Sequence, residues 1–224
     1  YIYIYIAYYR HFIVGVFYGS IFYQIDTGSA TADYTNRLSL MFFSLMFMVL
    51  GHQQAIPSLF EDRLVFYRER GARAYGAIPY WFSSWFLQVP LILVNVLIFI
   101  TIVYSMAGLN SASGCFGVFF GALFMCSVTG LFMAQFIASL APSAQAAISF
   151  FPVALFFSVA FAGYIVYIPE FDTWLRCWAP YLSFMRWGFQ AMVINEFSDN
   201  SSLPLGQDYI NNLGFNIFSK GHCL

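Results

Sequence analysis

The densest gathering of ionisable side chains runs from Glu61 to Arg73 and contains Glu61, Asp62, Arg63, Arg68, Glu69, Arg70 and Arg73, with Leu64, Val65 and Phe66 between them. Charge beside an apolar stripe on one helix equips a surface to dock rather than to make or break bonds. Two readings of this run stand. It is a solvated helix that obeys the positive-inside bias, or a docking helix for a cytosolic partner. Glu69 and Arg73 stand at i,i+4 in the favourable order if the helix continues past Gly71.

Few other side chains have spacings that do chemistry. A phosphate-cradling GxxxxGK[ST] loop needs a lysine, and the sole one is Lys220, near the C-terminal end. Any ATP must therefore be hydrolysed on another domain. HExxH and CxxC are absent, and His11, His52 and His222 fall on different segments, so no metal site is expected. Cys115 and Cys126 lie inside apolar runs and read as small core residues. His52-Gln53-Gln54 interrupts an apolar stretch, where polar side chains either tie helices together or line a pathway.

The elements that must position these residues follow from composition. Apolar residues make up 61% of the chain and charged residues 8%, against about 45–50% and about 25% in soluble domains. The net charge of −1 leaves no basic field for nucleic acid. Between positions 74 and 169 there is no Asp, Glu, Lys, Arg or His. At about 20 apolar residues per crossing, and with breaks at the Gly108–Gly114 turn cluster and at Ala141-Pro142-Ser143, that stretch holds spans at about 80–107, 116–140 and 147–168. Two more are expected at about 4–23 and 38–59, separated by a polar loop. Arg10 is expected to snorkel from the first, because a charge at mid-bilayer costs about 2.5–3.5 kcal/mol on insertion scales.

Arg63, Arg68, Arg70 and Arg73 follow the second span, whereas the loop after the first carries only Arg37. Placing the arginine-rich side in the cytosol leaves 169–224 extracellular or lumenal after three crossings. Within that outer segment, 174–197 is aromatic and apolar, broken at Pro180, and suits short re-entrant helices. Asn200-Ser201-Ser202 is a possible glycosylation site, and the oxidising side permits disulfides. The fold class is thus all-α, a polytopic transmembrane helical domain with re-entrant outer helices. The abrupt apolar start, Tyr1-Ile2-Tyr3-Ile4, reads as the interior of a longer polypeptide.

The loop 61–75 followed by Ile78-Pro79-Tyr80, the Val89-Pro90 step, and the outer segment ending Asn195-Glu196-Phe197 together resemble the G subfamily of ATP-binding-cassette transporters, of White and pleiotropic-drug-resistance type. The resemblance implies six membrane helices per half, of which five are present here and the sixth is missing. It further implies an upstream nucleotide-binding domain that binds ATP and Mg, no cofactor in this chain itself, and a second membrane half as a homodimer, heterodimer or full-length transporter. By the same resemblance Glu61, Arg63, Arg68, Glu69, Arg70 and Arg73 form the ATPase-docking loop, Phe47, Leu50 and Phe156 border the substrate cavity, and Tyr164 and Ile165 form the outer gate. Leu50 departs from the aromatic residue of one well-known exporter. Cys177 and Cys223 pair with each other, pair across a dimer, or remain thiols.

The function so implied is the membrane domain of an ATP-driven exporter of lipids, sterols or amphipathic xenobiotics, working by alternating access in the plasma membrane. The competing class is a passive channel or secondary transporter. Such a protein needs polar filters or broken helices at mid-membrane, and only His52-Gln53-Gln54 offers them.

Overall fold

The computed structural model describes residues 2–25, 31–110, 114–198, 203 and 205–215. Asn200 and Cys223 lie outside them. Among the described residues the chain is helical with no strand. Helix α1 covers Ile2–Ile21, α2 Thr31–Leu50, α3 Ile56–Gly71, α4 Ala77–Ala107, α5 Cys115–Leu140 and α6 Ala144–Ala160. Three short outer helices follow, α7 (Thr173–Arg176), α8 (Ala179–Leu182) and α9 (Phe184–Phe197), and then α10 (Gly206–Leu213).

Three helical runs among the described residues are long and apolar enough to cross a membrane: Thr31–Gly71, Ala77–Ala107 and Cys115–Leu140. The other two expected spans coincide with α1, 20 residues long, and α6, 17 residues long. The expected span at 147–168 needs correction, because its helix ends at Ala160. Gly163 follows in the left-handed region, at φ 89°, which a side chain adopts only with strain. A Cβ there would also approach Ile168 and Phe215 at 3.2 Å, so a tight turn folds against the outer segment where helix was expected.

The second expected span, 38–59, is also redrawn. Helix α2 begins earlier, at Thr31, and passes through a 3-10 turn at Gly51–Ala55 directly into α3. The 41-residue run is about twice what one crossing needs, so α2 and α3 do not both lie within one bilayer thickness as a single span, and α3 packs on the α5 and α6 ends.

Packing follows the small residues. Helix α1 lies along α4, and α5 is the central helix, touching α2, α4, α6 and α9. At Gly188 on α9 a Cβ would stand 2.2 Å from Cys126 Sγ on α5, so only glycine lets these helices meet so closely. Between them the buried core gathers Leu45, Phe119, Leu123, Met185 and Phe189. Helix α9 is anchored by Ser183, whose hydroxyl accepts from the Arg186 amide at 3.2 Å and donates to the Ser158 carbonyl at 2.6 Å.

Candidate functional site

The long connections meet at two opposite ends of the bundle. At one end, Arg63 donates to the Tyr67 hydroxyl at 2.8 Å and to the Ala141 carbonyl at 3.2 Å, tying α3 to the turn between α5 and α6. Its guanidinium also lies 5.5 Å from the ring centroids of Phe60 and Tyr67, a cation–π arrangement. Phe66 stacks on Tyr80 at 4.3 Å beside Tyr75, closing the corner into α4. Arg63 thus faces its own domain, while Leu64, Val65 and Arg68 stay exposed on the other side of α3, Leu64 by 68%.

The i,i+4 pairing of Glu69 with Arg73, which required the helix to run past Gly71, does not form. Helix α3 ends at Gly71, Arg73 takes a left-handed conformation at φ 58°, and Glu69 instead accepts a hydrogen bond from the Tyr75 hydroxyl. That bond pushes the Tyr75 phenol up to about 12.

Halfway along the long run, the Gly51–Ala55 turn sends three consecutive side chains to three neighbours. His52 shares a hydrogen bond with Ser127 of α5 at 2.8 Å, Gln53 donates to the Ile148 carbonyl of α6 at 3.0 Å, and Gln54 accepts from Arg10 of α1. A 3-10 turn has three residues per turn rather than 3.6, which spreads adjacent side chains around the axis. These polar residues therefore tie helices together, and Arg10 turns inward at the middle of α1 rather than snorkelling towards water.

At the other end stands a buried ion pair that the sequence reading missed. Arg37, taken as a loop charge, lies inside α2 with 1% exposure and pairs with Glu196 of α9, which is fully buried. Arg37 also donates to the Ile25 carbonyl at 3.0 Å, and Glu196 accepts from the Asn110 amide at 3.0 Å. One pair thus closes the α1–α2 and α4–α5 connections onto the outer helices. The signal in the sequence is slight, since Arg37 follows the polar Thr35-Asn36 and Glu196 has Asn195 just before it and Ser198 soon after.

The expected site residues are placed unevenly. Tyr164, in the turn after α6, stacks on Phe42 at 4.4 Å and hydrogen-bonds Ser39 at 2.7 Å, while the adjacent Ile165 is 56% exposed. Phe47 is packed among neighbours, stacked on Phe99 of α4 at 5.5 Å with His11 and Tyr18 against its other sides. Leu50 is half-buried, and Phe156 is 68% exposed on α6 along with Phe150 and Val153. Cys177 is half-buried just after α7.

A helical bundle with turn-bearing ends, an arginine-bearing α3 at one of them and the long charge-free helices α4 and α5 is a polytopic membrane domain. The family profile described as ABC-2 type transporter matches residues 1–197, and the chain belongs to that family. Among its relatives are ABC transporter G family member 2 of Dictyostelium discoideum, 29% identical over 84% of this chain and 14% of its own length. Another is the brefeldin A resistance protein of Schizosaccharomyces pombe, 26% identical over 86% of this chain and 13% of its own length. ABC transporter G family member 7 of Arabidopsis thaliana is 28% identical over 82% of this chain and 25% of its own length. The chain therefore spans a quarter or less of these curated relatives.

Proposed function

We propose that this chain is the membrane domain of an ATP-driven exporter, moving lipids, sterols or amphipathic xenobiotics by alternating access across the plasma membrane. ATP and Mg are bound and ATP hydrolysed on a nucleotide-binding domain of the same polypeptide, and a second membrane half completes the translocation path. The observation that carries this reading is the unbroken Thr31–Gly71 run, in which a membrane-spanning helix continues into an arginine-bearing helix with Leu64 and Val65 exposed beside Arg68. A continuous helical element of that kind couples a closing ATPase to the membrane interior, and the adjacent exposed Leu64 and Val65 beside Arg68 give a partner a mixed surface to dock on. Arg63 braces this helix from inside and Glu69 holds Tyr75, which leaves Glu61, Arg68, Arg70 and Arg73 for the partner.

The substrate path lies between the two halves. Phe156, with Phe150 and Val153, presents an apolar wall on α6 and Leu50 contributes from α2, while Phe47 packs toward α1 and α4. Tyr164 and Ile165 form the outer gate, Tyr164 held by Ser39 and Phe42. The names of several relatives record drug resistance, which accords with an apolar, aromatic path for amphipathic molecules.

The test is charge reversal, Arg68→Glu with Arg70→Glu, in the full-length transporter. Substrate-stimulated ATP hydrolysis should fall severalfold while the purified protein stays monodisperse. Unchanged stimulation would refute the docking role.

A further inference from the structure

Beside the Gly51–Ala55 turn, α1, α3 and α4 enclose a cavity of about 590 Å3 that none of the roles above requires. This volume falls within the range of about 300–1,000 Å3 typical of small-molecule sites. Its wall is mostly apolar in area, with Met48, Leu91 and Ile92 among its lining, and Arg10, Gln54 and Asn95 are among the polar side chains that border it.

Arg10 is held but not neutralised. Its guanidinium donates one hydrogen bond to the neutral Gln54, its Nε is buried without a hydrogen-bond partner, and the ion pair among the described residues is elsewhere, at Arg37 and Glu196. Gly51 makes room for it, since a Cβ there would meet the guanidinium nitrogen Nη2 at 3.1 Å. On α4, the Asn95 side-chain oxygen is likewise buried without a partner. A half-buried guanidinium without a counter-ion is disfavoured, and so is an unsatisfied amide. Both penalties fall in the same cavity. Glu61 also borders the cavity, exposed and beyond ion-pair distance of the guanidinium.

We propose that this cavity binds a single-chain amphiphile by its anionic head. A carboxylate or phosphate accepts from Arg10 and, with the Asn95 amide turned so that its NH2 faces the head, from Asn95 as well, while the chain lies along Met48, Leu91 and Ile92. The site is internal to one membrane half, apart from the path between halves, and its binding does not rest on the transport reading.

The experiment uses the full-length transporter in phosphatidylcholine nanodiscs without ATP, labelled by oleate carrying a photoactivatable diazirine. Crosslinks are expected at Met48, Leu91 or Ile92. Unlabelled oleate or lysophosphatidate should compete at least about tenfold better than oleyl alcohol, and whichever acid competes better identifies the head. Arg10→Gln should abolish that preference and Arg10→Lys should retain part of it. Where Arg10→Gln does not fold, Gly51→Ala keeps the charge but displaces the guanidinium, and should weaken the preference. Equal competition by alcohol and acids in the unaltered protein would overturn the proposal. So would crosslinks confined to outward faces such as Phe17 and Phe136, or a preference unchanged in the folded variants.

Discussion

Arg37 and Glu196 stand 159 positions apart and meet in a fully buried pair, so no local pattern could announce either role. Read by spacing, Arg37 was one charge near the start of a span and Glu196 the middle of Asn195-Glu196-Phe197. Only the fold gives each its partner. Removing one member of such a pair leaves the other charged and unsolvated, which costs about 3–5 kcal/mol, whereas replacing both with apolar side chains of similar size is often neutral. Glu196→Ala should therefore lower the thermal stability of the full-length transporter sharply, and Arg37→Met combined with Glu196→Leu should recover most of the loss. Melting followed by size-exclusion monodispersity reads this directly. Equal loss in the single and double variants would show that the carboxylate matters for its bond to the Asn110 amide rather than for the charge pair.

Elements were more legible than residues, because a bilayer imposes length and apolarity on each helix. The charge-free stretch placed α4 and α5 within a few residues, and the Gly108 turn, left-handed at φ 65°, ends α4 where the sequence reading stopped it. Two errors arose where apolarity continues but geometry changes. Residues 161–167 are apolar enough to extend α6, yet Gly163 turns the chain back onto the outer helices. His52-Gln53-Gln54 read as an interruption of one span, but the turn there joins α2 to α3 without ending the helical run. Close helix contact was the feature least visible, since Gly188 sits in a sequence with no small-residue repeat. There Gly188→Ala places a methyl group 2.2 Å from Cys126 Sγ, an overlap that must be relieved by displacing α9 from α5. Overpacking of this kind costs about 1–3 kcal/mol. Because the clash is with the end of one side chain, Cys126→Ala in the same protein should restore part of the stability. Full additivity of the two losses would place the strain in the backbone instead.

At the scale of the whole molecule, the hydrogen bonds themselves sort the connections into two ends. Arg63 joins the α3 region to Ala141, which puts the α3–α4 and α5–α6 turns together. Arg37, Glu196, Ile25 and Asn110 join the α1–α2 and α4–α5 connections to α9. Successive connections alternate between these ends, the pattern of a chain threaded back and forth through a bilayer. By the positive-inside bias we expect the first end to be cytosolic, since Arg68, Arg70 and Arg73 stand there, beyond α2. Leu64, 68% exposed on α3, should accordingly face the cytosol, and Trp174, 65% exposed on α7, should face outside. Cysteines placed singly at these two positions in the full-length transporter separate the cases. A membrane-impermeant maleimide on intact cells should label the Trp174→Cys protein directly and the Leu64→Cys protein only after permeabilisation, each measured against the parent protein to account for Cys177. Labelling of both from the same side would break the alternation, and with it the placement of the arginine-bearing helix against a cytosolic ATPase.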